Sequence, residues 1–190
     1  TAIATGRERL RAVRGDQLTL EVFVSQHEQP AQEHPQHAEH TLVATGARLL
    51  RLAEPVQMGS IDAFVSHSWR DSPEDRWAAL SRWREGFVHE HGREPVLWID
   101  ACCIHSAELE IPLLPIFLAS CRSMLVLSGP TYLTRMWTVA ELFMFEHMHA
   151  QTDGRSAIAR GMVQMIVLPG GPSLEDLRTF DARQCRCLYQ

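Results

Sequence analysis

From Ser60 onward, short apolar runs alternate with longer segments of helical period, and this alternation constrains the fold more than any other feature of the chain. It predicts a parallel sheet with helices on both faces. The first strand is read over Ile61 to Ser66. A polar turn, His67 to Glu74, leads into a helix from about Pro73 to His91 whose Trp77, Leu80, Trp83 and Phe87 recur at helical spacing, with Gly92 as its stop. Pro95 to Asp100 is a second short strand, and Ile111 to Cys121 a short helix with Pro112 near its first turn. Ser123 to Ser128 is the third strand, Arg135 to His149 the next helix, and Met162 to Leu168 the fourth strand. Right-handed crossovers lay these out as an open, doubly wound α/β sheet. A chain of 190 residues with 45% hydrophobic content can bury one full core and a small accessory piece.

The first sixty residues read differently. Leu18 to Val24 carries leucine and valine at alternate positions, a strand pattern, and part of Thr41 to Leu52 reads the same way. Between them Gln26 to His40 is polar, His-rich and broken by two prolines, a linker composition. His34, His37 and His40 recur every third residue, but Pro35 interrupts a helix there and no cysteine or carboxylate completes a metal site, so a solvated loop is the better reading. The organisation read from sequence is thus an N-terminal extension over 1–59 and a main domain over 60–190, in which Ser173 to Gln190 includes only part of a terminal strand and helix.

Charge and composition remove several classes of function. A formal charge of -5, with arginines scattered along the chain, leaves no electrostatic footprint for nucleic acid. All eighteen basic residues are arginine, so no lysine is present for a phosphate loop, a kinase-type clamp or a Schiff base. Five cysteines, including the adjacent pair Cys102 and Cys103, match neither a disulfide framework nor a zinc ribbon. Apolar runs such as Ile111 to Ser120 are too short to span a bilayer, and the expected setting is cytoplasmic with no membrane partner.

In a doubly wound sheet, the loops after the strands gather along one edge, where such folds bind ligands. Here that edge receives Ser66, His67, Ser68, Trp69, Arg70 and Asp71, then Asp100 with Ala101 to His105, then Gly129 to Thr134. Arginine and small hydroxyls suit phosphate, and tryptophan stacks on flat rings. The first loop has no glycine, which argues against a dinucleotide fingerprint of the dehydrogenase kind. Glu141 follows Trp137 by four positions, so the two share a helical face turned toward the same edge. Trp137 fits a core anchor as well as a substrate wall. His67 fits a phosphate ligand or base as well as a strand-end cap, and Asp100 can pair with Arg70 across the edge.

Asp62 to Ser68 resembles the first-strand motif of Toll/interleukin receptor (TIR) domains, and Leu127 to Leu133 leading to Trp137, Glu141 and Leu142 resembles their third strand and following helix. Together the motifs cover roughly Ser60 to Gly170, in the expected order. The resemblance implies a flavodoxin-like sheet and homotypic self-association. In enzymatic members the glutamate after the tryptophan cleaves the nicotinamide–ribose bond of NAD, and Glu141 occupies that position. Ser66, His67, Ser68, Trp69, Arg70, Asp100 and Trp137 would then line the NAD site, with NAD as substrate and no further cofactor or metal implied. The chain lacks the Arg-Asp and Pro-Gly pattern of animal receptors after the second strand, so their mode of partner contact does not carry over. A non-catalytic interaction module is the alternative the same resemblance allows.

One carboxylate is enough for that chemistry. Nicotinamide leaves as a neutral molecule and needs no proton, while the ribose passes through an oxocarbenium-like state that water captures to give ADP-ribose, or an internal adenine nitrogen captures to give a cyclic product. A glutamate hydrogen-bonded to the ribose hydroxyls stabilises the developing charge where the walls exclude water.

Overall fold

The computed structural model describes residues 2–27, 48–149, 155–181, 183 and 185. It is an α/β fold of the flavodoxin-like kind, built on a six-stranded, mostly parallel sheet. The strands in chain order are β1 (Arg11–Arg14), β2 (Glu54–Pro55), β3 (Ile61–His67), β4 (Val96–Trp98), β5 (Cys121–Ser128) and β6 (Val163–Val167), and they lie in the spatial order β2-β1-β4-β3-β5-β6. β3 is parallel to both β4 and β5, and β5 to β6, with Ser66 beside Val126 and His67 beside Leu127. Every residue of β3 is buried, as a central strand covered on both faces requires.

The helices are α1 (Ala2–Arg9), α2 (Leu20–His27), α3 (Pro73–His91), α4 (Asp100–Cys103), α5 (Ala107–Glu110), α6 (Leu114–Ala119), α7 (Met136–Met148) and α8 (Leu174–Arg178). Local chemistry sets the bounds of α3. The Ser72 hydroxyl accepts from Asp75 N–H at 3.1 Å, Pro73 fills the first turn, and Gly92 ends the helix at φ 66°. α2 packs on α3, and α6 packs on α7. Right-handed crossovers put these two pairs on opposite faces of the sheet. On the α6 face Phe64 stacks on Trp98 at 4.5 Å, and Trp98 meets Phe117 at 5.9 Å. At the start of β3, Asp62 takes both arms of Arg93 at 2.7 Å and the Val96 N–H at 2.9 Å, which pins the entry to β4.

The core of the sheet follows the sequence reading closely, whereas the N-terminal region differs. Leu18 to Val24, expected as a strand, lies mostly in α2. Its buried residues are Leu18, Val22 and Phe23, a helical spacing that packing on α3 selects over the alternate pattern of leucine and valine. The strands of this region are instead β1 and β2. β1 runs antiparallel to β4 and to β2, so it extends the sheet that carries the main domain. Residues 48–52 form a helical end and turns rather than a strand, and 41–47 lie outside the described residues. His34, His37 and His40 lie outside them as well. Asp100, read as the end of a strand, opens α4. Ile111 to Cys121 divides into a single tight turn, α6 and the first residue of β5. Among the described residues, no helix is long and apolar enough to cross a membrane.

Candidate active site at the sheet switch point

β3 and β5 are neighbours whose outgoing connections run to opposite sides of the sheet, β3 to β4 and β5 to β6. Open α/β sheets bind ligands outside the carboxyl ends of the strands at such a switch point. β3 ends there with Ser66 and His67, followed by Ser68, and β5 ends with Ser128, followed by Gly129. The chain then makes one tight turn over Tyr132–Thr134 and enters α7. The Thr138 hydroxyl fixes that entry by bonding the carbonyls of Tyr132 and Arg135.

Glu141 lies on the buried side of α7, 2% exposed. Ser66 Oγ donates to its Oε2 at 2.6 Å, and the Tyr132 hydroxyl lies 2.8 Å from the same Ser66 oxygen. Burial and the Asp100 charge push Glu141 well above its ordinary value of 4.5, while hydrogen bonds from Ser66 and Trp137 pull the other way. The carboxyl thus leans toward the neutral acid. Trp137 and Glu141 lie four residues apart in α7 and so share a face.

A second polar group sits beside the first. Asp71 Oδ1 accepts from Thr131 N–H at 2.9 Å and from its hydroxyl at 2.8 Å, and Thr131 Oγ1 lies 2.7 Å from Ser68 Oγ. Among the described residues, Asp71 Oδ2 is buried without a hydrogen-bond partner. It rests against Gly129, where an added Cβ would stand 2.3 Å from both the Asp71 carboxyl carbon and Oδ2. Only glycine leaves room for this carboxylate. Gly129→Ala is therefore expected to drive Asp71 off Thr131 and to destabilise the fold by about 2–3 kcal/mol, measured by urea unfolding. Wild-type stability in that variant would show that the crevice adjusts without cost.

The other expected site residues divide between two environments. Ser66 and His67 point to opposite faces because they are consecutive in a strand. Ser66 faces α7, whereas His67 is buried against the Phe23 ring of α2 at 5.4 Å, with its Nδ1 3.4 Å from the Val65 carbonyl oxygen. Burial, partly opposed by the charge of Asp100, pushes His67 down to about 4, so it is neutral at physiological pH. The structure thus gives His67 a packed position on the α2 side. Trp69 Nε1 donates to Asp100 Oδ2 at 2.7 Å, and Ala101 N–H bonds Oδ1 at 2.8 Å. Trp69 is half-buried and Arg70 is exposed. The charge of Asp100 acts on Arg76 of α3. Cys102 and Cys103 are buried in α4, and burial pushes the Cys102 thiol up to about 12, which makes it inert.

Sequence reasoning gave no role to Tyr132, Thr131, Asp71 or Arg76. For Arg76 a signal existed: it precedes Ala79 and Leu80 by three and four residues, so it lies on the apolar side of α3. For the others the partners lie 60 or more residues apart, beyond the reach of a local pattern. No protein-family model matches the chain, and neither does any curated protein or solved structure.

Proposed function

We propose that the chain hydrolyses NAD to nicotinamide and ADP-ribose, with Glu141 as the catalytic residue, and that it does so on self-association. The observation that carries this reading is the Glu141 carboxyl, buried at the switch point and held by Ser66. The C1′–N bond breaks, its electron pair passes to the nicotinamide nitrogen, and water attacks C1′ and releases a proton. Glu141 in its ionised form stabilises the oxocarbenium-like ribose between those events. The positive pyridinium of NAD favours that ionised form as it approaches. Trp69 and Trp137 wall the crevice against water, and Arg70 takes the diphosphate.

A second reading, a non-catalytic TIR-type interaction module, is favoured by the outer side of α7. Met136 is 51% exposed and Phe143 71%, an apolar face of the kind that partners cover. The two readings separate on nicotinamide release by the artificially clustered chain given NAD. Release that is lost in Glu141→Ala and Glu141→Gln supports the enzyme, whereas self-association without release supports the module. Release that survives both substitutions removes Glu141 from the mechanism.

A further inference from the structure

Two hydroxyls lead from the turn after β5 to the Glu141 carboxyl. Tyr132 is fully buried and Ser66 is 1% exposed, so neither hydroxyl exchanges its partner for bulk water. Ser66 has a single proton to donate, and once Glu141 is ionised, and so only accepts, that proton goes to Oε2 at 2.6 Å. The 2.8 Å contact between the two hydroxyls must then be donated by Tyr132. The direction of the chain follows: Tyr132 O–H to Ser66 O–H to Glu141. Each donor polarises the next, and in a dry interior such chains strengthen cooperatively. They also tie together the end of β3, the turn after β5 and the second turn of α7.

We propose that Ser66 and Tyr132 are positioning residues, a one-way hydroxyl relay that holds the Glu141 carboxyl at the crevice floor and supports negative charge on it. The inference rests on the reading of Glu141 as the group that acts on the ribose. The relay works against burial and against Asp100 of α4, and alongside the Trp137 hydrogen bond from α7 itself. The Asp100 charge also acts on His67 of β3 and on Arg76 of α3. Tyr132 does not compete as an acid, because burial and the neighbouring Glu141 push its hydroxyl well above its ordinary value.

The test follows the Glu141 carboxyl carbon by NMR titration of the intact chain, with its signal assigned by loss in Glu141→Gln. Ser66→Ala is expected to move the midpoint upward, Tyr132→Phe to move it upward by less, and Ser66→Thr to keep it near the parent value. Tyr132→Phe removes a single oxygen and so provides the reading even where Ser66→Ala fails to fold. In the nicotinamide assay, loss of the Ser66 donor is expected to lower kcat about tenfold at neutral pH, with KM retained and the deficit shrinking as pH rises. A midpoint unmoved in folded Ser66→Ala or in Tyr132→Phe overturns the relay. If the clustered parent releases no nicotinamide while the midpoints move as described, the catalytic reading fails and the relay stands as the device that sets Glu141 ionisation.

Discussion

Arg76→Ala is expected to destabilise the chain by about 3–5 kcal/mol, enough to lower Tm on the order of 10 °C. Arg76 is fully buried, an unusual place for a guanidinium. Its Nη2 donates to the Phe23 carbonyl at 3.2 Å, and its guanidinium lies 5.2 Å from the Phe23 ring centre. Burial pushes it down to about 10, opposed by Asp71, Asp100 and Glu74, so it stays charged at neutral pH. Truncation therefore strips the nearby cation from two buried carboxylates, Asp71 and Asp100, and unties α2 from α3 at once. Removing one member of a buried charge cluster costs more than the cluster contributes, because the remaining charges stay desolvated. Arg76→Lys is expected to recover part of the loss by keeping the charge without the forked geometry. A loss under about 1 kcal/mol in Arg76→Ala would show that Asp71 and Asp100 are held by their hydrogen bonds alone.

Glu141→Gln is expected to separate stability from activity. The folded chain holds the Glu141 proton above its ordinary value of 4.5, chiefly through burial. Between that value and the raised one, the native state binds more protons than the unfolded state. Stability from this group is therefore complete below pH 4.5 and falls as pH rises through the folded value. Glutamine keeps the shape of the neutral acid and has no proton to lose. The variant is expected to match the parent near pH 4 and to exceed it in stability at pH 8, read from paired urea unfolding curves. Nicotinamide release by the same variant is expected to fall about 10²–10³-fold. Equal stability of the two chains across that pH range would mean that Glu141 ionises without penalty. On the proposed mechanism the trade is physical: a charge that a dry site disfavours at rest is the one that would meet a cation in the transition state.

The legible parts of the fold were those with a strong local cause. α3 spans Pro73–His91 as its cap, proline and terminal glycine dictate, and β5, α7 and β6 differ from the sequence reading only at their ends. The illegible parts depend on partners. β1 has only two apolar residues in Arg11–Arg14 and becomes a strand by pairing with β4 and β2. Leu18 to Val24 satisfies an alternating and a helical pattern together, and α3 decides between them. Within the candidate site, Glu141, Trp137 and Ser66 were legible because strand order and helix period bring them to one edge. Asp71 on Thr131 and Tyr132 on Ser66 were not, since each contact joins loops that only the folded sheet brings together. Strand alternation alone places His67 on the opposite face from Ser66, a consequence the loop-level reading passed over.

The most direct test of the catalytic assignment is a structure of the clustered chain with a non-cleavable NAD analogue. The account predicts that the nicotinamide-bearing ribose lies in the crevice outside β3 and β5, with its hydroxyls within about 3 Å of the Glu141 carboxylate. A ribose bound elsewhere, with Glu141 still buried beneath Ser66, would contradict it.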